Sequence, residues 1–432
     1  MDWLHVIKCE LDALGVFATI SPNGANQTIK LRADSIRSER TGIHAAISVF
    51  YDTTRLAYDT FNVTRNEERN RLAKDAHTGL SATCQKAYPR EALKNDLDNF
   101  CASVWDVWQE REPAIEIWTD KDEEPVPPKW LLEPFVLENQ PNILFGERSS
   151  VKSMTALVLS AILSLQWEDN PLRIKPPDHY SETLYLDFER NEATARYNMS
   201  RLQRGMNLPG IPLHYKRLHG PLSRNAEWVR KYLRDHPNIK LIIIDSVTPA
   251  SGGNLNETGP ASDFFEAERS FNLTTLCLAH ASNKDVEAKH KTVTGTFAWE
   301  SYAGNVWECR KEQEEDSDLA NVCLYHRKPP AVYGTRKPIG FRITFSADKR
   351  SLTVAPDDPR NTPQFVERMT LATRILQLLK HEQLTTKEIS DRLTEKQNTV
   401  SNSILRLRRN GAVLEVAVEG KASRWGCKYE ES

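Results

Sequence analysis

The sequence predicts an α/β protein whose mostly parallel central sheet is preceded by a small α+β domain and followed by a small domain of three helices and a hairpin. Three observations carry this. Residues 130–355 alternate short apolar runs with segments of helical period, the pattern of strand, helix, strand units. Two polar, proline-rich stretches, TDKDEEPVPPK at 119–129 and APDDPRNTPQF at 355–365, interrupt the chain where no apolar surface can be buried. The length of 432 residues, at roughly 100–200 residues per domain, leaves room for two to four domains. The expected order is therefore 1–120, a linker at 121–129, a core at 130–355, a second linker at 356–365, and 366–432.

Composition removes several classes. With 39% hydrophobic and 27% charged residues the chain is neither disordered nor collagenous. No apolar run approaches the roughly 20 residues of a membrane span. MDWLHVIKCELDALG has acidic residues in its apolar stretch and no small-residue cleavage site, so a cytosolic protein without a membrane partner is expected. Seven scattered cysteines with no CxxC pair argue against a disulfide framework and a structural zinc site. A net charge of -2 confines any nucleic-acid contact to local patches.

In the N-terminal region 28–36 and 42–51 alternate as strands do, after an Asn23-Gly24 turn signal, and 65–82 and 90–109 have helical period. No catalytic cluster stands out there, and the region is read as an accessory domain. In the core the expected strands are 142–145, 183–187, 241–245, 274–279 and 321–326, with helices at 152–166, 192–206, 226–235 and 263–270 between the first four. Ligands on such sheets sit at the carboxyl ends of the strands, which directs attention to the residues just after each one. At the C-terminus, helices at 366–380, 387–393 and 399–409 and a hairpin at 412–418 and 423–428 give the winged-helix layout.

After the first core strand comes Gly146-Glu147-Arg148-Ser149-Ser150-Val151-Lys152-Ser153, followed by Met154. It fits the phosphate-binding pattern GxxxxGK[ST] except that Val151 replaces the second glycine. In such a loop backbone amides cradle phosphates, the lysine reaches the terminal phosphates and the hydroxyl holds Mg²⁺. Valine at a glycine position predicts a narrowed loop or weakened nucleotide binding. The second strand ends in Asp187-Phe188-Glu189, where a carboxylate can activate an attacking water. The third ends in Asp245-Ser246, as a metal-holding strand requires. No glutamate follows Asp245, which leaves Glu189 as the candidate base; Asp187 reads as structural.

This order of motifs, continued by Leu278-Ala-His280-Ala-Ser-Asn283-Lys284, resembles the RecA-like P-loop ATPase core. Within it the sequence is most similar to the RepA-type hexameric replicative helicases of plasmids and phages and their AAA-labelled relatives. Gly295-Thr-Phe-Ala-Trp-Glu resembles that family's glycine-serine segment, and His326-Arg327-Lys328 before 339–345 resembles its closing hairpin with an inter-subunit basic finger. The resemblance covers about 130–355. It implies ATP and Mg²⁺ as ligands, with Lys152 and Ser153 on phosphate and metal, Asp245 completing the metal site and Glu189 activating water. It further implies His280 as a sensor, and Arg327 or Lys328 reaching the nucleotide of a neighbouring subunit in a homohexamer. Val151 departs from the pattern, and Gly304-Asn305 stands where many relatives carry an arginine.

Lys284, Lys289, His290 and Lys291 lie in a polar loop which, at this level of a RecA-like ring, faces single-stranded DNA. No aromatic residue occurs in 284–294, so stacking is not expected there. In the C-terminal domain Asn398, Ser401, Asn402, Arg406 and Arg409 on the third helix, with Lys421 and Arg424 at the hairpin tip, are the expected contacts to double-stranded DNA. Residues 366–432 carry twelve Lys and Arg against nine Asp and Glu, a net of +3. The leading expectation is an ATP-dependent helicase or motor in replication of a mobile element. The alternative is a DNA-binding regulator or initiator that binds ATP and barely hydrolyses it.

Overall fold

The computed structural model describes residues 7–12, 15–21, 28–39, 41–110, 124–282, 291–419 and 422–427. Asn23, Gly24, Lys284, Lys289, His290 and Lys421 lie outside them. Contacts group the chain into two units. One gathers 1–127, 220–237 and 266–272; the other holds 128–219, 238–265 and 273–432.

The first unit is an antiparallel sheet backed by helices. Its strands β1 (Cys9–Leu11), β2 (Gly15–Ile20), β3 (Ile29–Glu39), β4 (Gly42–Tyr51) and β5 (Thr54–Asn62) lie side by side in chain order. Helices α1 (Asn66–Thr78), α2 (Ala82–Ala87) and α3 (Arg90–Gln109) follow. Period-2 alternation puts Val16, Ala18, Leu31, Ala33, Ile47 and Val49 on one face, buried with Leu72, Leu93, Leu97 and Phe100 of α1 and α3.

The second unit opens with the short pair β6 (Trp130–Leu132) and β7 (Val136–Leu137). Its main elements are then β8 (Pro141–Gly146), α4 (Lys152–Leu165), β9 (Glu182–Asp187), α5 (Glu192–Met206) and β10 (Leu213–Arg217). Helix α6 (Leu222–Asp235) belongs with the first unit. There follow β11 (Ile239–Asp245), α7 (Val247–Ser251), α8 (Thr258–Arg269), β12 (Thr274–His280), α9 (Ala298–Tyr302), β13 (Asn305–Glu312), β14 (Leu319–Lys328), β15 (Ile339–Phe345) and β16 (Leu352–Pro356). The sheet order is β10-β9-β11-β12-β8-β13-β14-β15-β16. Neighbours from β10 to β13 run parallel and the remaining pairs are antiparallel. This is a mixed α/β fold with a large, mostly parallel central sheet. Register aligns Asp245 with Asp187 and His280 with Gly146, so the strand ends that carry the motifs form one edge. Helix α4 is apolar nearly all round and sinks into the core against β8, β9 and β12.

The strands β10, β13 and β16 were not foreseen. β13 carries Glu308 and Arg310 in its buried span, where they neutralise each other and so escape a hydropathy reading. The stretch expected as a second linker is structured: a 3-10 turn over Pro359–Asn361 leads into α10 (Pro363–Val366). Phe365 and Met369 pack on Cys323 and Tyr325 of β14, and the Tyr325 hydroxyl donates to Phe365 O at 2.9 Å. The next helix, α11 (Leu371–Leu379), starts later than expected because the Thr370 hydroxyl caps it by accepting from Thr373 N. Beyond it come β17 (Leu384–Thr385), α12 (Thr386–Leu393) with a Thr385/Glu388 capping box, α13 (Gln397–Arg409), β18 (Val413–Glu419) and β19 (Ala422–Cys427). Among the described residues no helix is long and apolar enough to cross a membrane, and all seven cysteines are free.

Candidate nucleotide site

The loop between β8 and α4 closes tightly on itself. A Cβ on Gly146 would stand 2.3 Å from Cys309 O on the neighbouring β13, so only glycine fits there. The Cys309 thiol donates to Ser150 O at 2.8 Å, and burial pushes that thiol up to about 12. Lys152, buried, folds back to donate to Gly146 O at 3.0 Å, Glu147 O at 2.8 Å and Ser150 Oγ at 3.3 Å. Burial pulls its ammonium below the usual lysine range. The amine thus sits inside the loop between β8 and α4.

Val151 adopts φ 59° and ψ 21°, the left-handed conformation that a glycine takes without cost. For a β-branched residue this costs about 1–2 kcal/mol. The strain is present without nucleotide, so it weighs on folding and not on binding, and the loop keeps its shape. Val151→Gly is therefore expected to change ATP affinity less than about tenfold, measured by nucleotide titration. A gain of a hundredfold would mean that the side chain itself blocks the phosphates.

Beside the loop, Asp245 Oδ2 accepts from Ser153 Oγ at 2.7 Å and from Tyr185 OH at 2.6 Å. Burial raises its carboxyl, and these two donors oppose the rise. Two hard oxygen groups side by side at the start of α4 fit Mg²⁺, which Ser153 and Asp245 would hold there. Asp187 has another task. Its Oδ1 accepts from Glu189 N at 2.9 Å and Arg190 N at 2.7 Å, and its Oδ2 from Tyr215 OH at 3.0 Å, which fixes the turn that presents Glu189.

Glu189 Oε1 lies 3.5 Å from His280 Nε2 and accepts from Ser246 Oγ at 2.5 Å. The imidazole and the hydroxyl hold its carboxyl down to about 2. The lowered value means that the pair adds stability above the ordinary carboxylate pKa of 4.5, lost as pH falls from there to about 2. In His280→Ala the carboxyl loses the first of the partners that hold it down and its pKa rises, so more of the base is protonated at pH 5 than in the parent. The ratio of turnover at pH 5 to that at pH 7 should fall in the variant and not in the parent.

One cavity of about 280 Å³ joins these groups: Ser149 to Met154, Glu189, Asp245, Ser246 and His280 line it. Arg190, Asn198, Arg201 and Phe345 line it too, and sequence reading did not assign them a role. Asn198 and Arg201 share a face of α5 at i, i+3, a signal that was present but had no motif behind it. Arg201 lies 5.0 Å over the Phe345 ring and 5.1 Å over Tyr197.

The other expected contacts are more scattered. Arg327 donates from Nε to Glu308 Oε2 at 2.6 Å, and Lys328 Nζ donates to the carbonyls of Glu300, Ser301 and Ala303. Lys291 pairs with Glu147 at 2.5 Å, so its ammonium meets the phosphate loop itself. Arg148 has an exposed side chain. Phe297, in the segment after Lys291, is 83% exposed. On α13 Asn398, Asn402, Arg406 and Arg409 are exposed and Ser401 is half-buried, while Arg424 donates to Gln383 O at 2.9 Å and pairs with Glu388 at 3.6 Å.

Residues 109–286 match the family described as an AAA domain. No curated protein matches the chain in sequence. Among solved structures, a KaiC-like protein from the hyperthermophilic archaeon Pyrococcus horikoshii OT3 is similar at 12% identity and a TM-score of 0.37. The alignment covers 54% of this chain and 100% of that one. The family match and the pocket together support a P-loop ATPase core.

Proposed function

We propose that this chain hydrolyses ATP in response to single-stranded DNA and works as a homohexameric ring, a helicase or motor in the replication of a mobile element. The observation that carries the reading is the convergence of Lys152, Ser153, Asp245 and Glu189, from three separate strand ends, on one cavity. Lys152 leaves the loop carbonyls to meet the terminal phosphates. Ser153 and Asp245 hold Mg²⁺, which when bound offsets charge on the phosphates. Glu189, ionised and oriented by Ser246 and His280, takes the proton of the attacking water. Arg327 serves the site of the adjoining subunit. Lys291 and Phe297 meet the single strand, and the helices and hairpin from Leu371 onward act as a winged helix on duplex DNA.

The test is ATP hydrolysis by the full chain with and without single-stranded DNA, together with its mass in solution with and without nucleotide. Stimulated turnover and a nucleotide-dependent hexamer are expected. Turnover indifferent to DNA would overturn the motor.

A second reading, an ATP-bound DNA regulator with little turnover, has one observation in its favour. Arg327 and Lys328 are both engaged within their own chain, and so is Lys291. It predicts tight nucleotide binding with no turnover under any DNA.

A further inference from the structure

The N-terminal sheet has a second face, opposite the one packed on α1 and α3. Cross-strand register sets two rows on it: Glu10, Phe17, Arg32, Ser48 and Tyr58, with the acidic Glu10 at the β1 edge, and next to them Thr19, Lys30, Phe50 and Arg55. Helix α6 approaches the far end, where Ser35 Oγ donates to Glu227 Oε2 at 3.4 Å and Glu227 adds to the raised pKa of Asp34. Beyond that end the rows are open at their margins: Tyr58 is 54% exposed, Thr19 and Arg55 are exposed as well, Phe17, Lys30, Arg32 and Phe50 are half-buried, and Ser48 between them is buried.

The chemistry of this face is selective. Its only apolar side chains larger than alanine along these rows are rings. Aliphatic side chains, the usual currency of protein docking, all turn to the helix side. Two of the rings carry a cation: Lys30 Nζ stands 4.3 Å above Phe17, and Arg55 Cζ 5.1 Å over Tyr58. Arg32 between them is held by Asp12 at 2.8 Å and Asp34 at 2.7 Å, which fixes the middle of the platform. Strands lie about 4.8 Å apart, so Phe17 on β2 and Tyr58 on β5 are separated by about 14 Å. Rings so spaced on an open antiparallel sheet, each with a cation at its face, match a strand of two or three unpaired bases with their phosphates.

We infer that this face binds single-stranded nucleic acid by base stacking on Phe17, Phe50 and Tyr58, with Lys30 and Arg55 meeting the phosphates. The site is separate from the nucleotide pocket and does not depend on ATP turnover.

The test uses the full chain with oligo-dT and oligo-rU of the same length, and with 5-iodouracil versions for photo-crosslinking. Adducts are expected at Phe17, Phe50 or Tyr58, and the double variant Phe17→Ala, Tyr58→Ala should remove them and weaken binding about tenfold or more. Tyr58→Trp, which keeps a stacking surface, should retain affinity, a result that a merely structural Tyr58 would not require. Preference between the two oligonucleotides tells DNA from RNA. Adducts confined to other parts of the chain, or unchanged affinity in the double variant, would overturn the inference. So would a change of oligomeric state in that variant without loss of adducts, which would assign the face to a second copy.

Discussion

Glu189→Gln lowers ATP turnover by about 10²–10⁴-fold, the usual worth of a positioned general base, and leaves nucleotide binding intact or tighter. The substitution preserves shape, and Ser246 still finds an oxygen to donate to where it now meets Glu189 Oε1 at 2.5 Å. What disappears is the proton acceptor, held ionised down to about 2. The negative charge near the phosphates goes as well, which is why affinity does not fall. Single-turnover hydrolysis beside a binding titration separates the two effects. A loss smaller than tenfold would move the base elsewhere, and Asp187 is a poor substitute because both its oxygens are engaged by the turn and by Tyr215.

Lys152→Ala weakens ATP binding by about 10–100-fold, the worth of a lost charge-assisted hydrogen bond, and turnover falls with it. Thermal stability is expected to move the other way or not at all. The amine is buried against carbonyls in the absence of nucleotide, and burial already disfavours its charge. Removing it relieves a desolvation cost. A Tm measured without nucleotide should therefore stay level or rise while the affinity for nucleotide falls. Parallel losses in both would make Lys152 a structural residue of the loop.

The core strands that could be read in advance share a property: they are apolar runs whose few charges stand at or next to their ends. β8, β9, β11 and β12 are of this kind, and their ends carry the phosphate loop, Glu189, Asp245 and His280. β10, with the sequence LHYKR, is an edge strand whose polar positions match its half-buried state and look like loop. β13 defeats hydropathy because its charges are paired inside the protein. The turn and helix at 359–366 were hidden by prolines, since one buried ring, Phe365, supplies the anchor and a single ring has no period. At the site, Lys152, Ser153, Asp245 and Glu189 are legible because backbone geometry forces their spacing. Arg201 and Phe345 come together from α5 and β15, and no local pattern links residues that far apart in the chain.

The Glu308 carboxylate, 1% exposed, has two guanidinium neighbours: Arg327, and Arg310 in an ion pair at 2.5 Å that is not an aligned hydrogen bond. A lone counterion leaving such a carboxylate would strand a charge in the interior, at a cost of several kcal/mol. With two, one can depart while the other keeps the site neutral. In the proposed ring this makes Arg310 the holder of a reserve, and Arg327 the one that travels. Thermodynamic reciprocity then applies: whatever free energy a neighbour's nucleotide spends drawing Arg327 from Glu308 returns as tighter association whenever that bond is already broken. Arg310→Met, by stranding Glu308 with Arg327 alone, locks the traveller at home, and subunits carrying it would bind nucleotide yet no longer feel one another's.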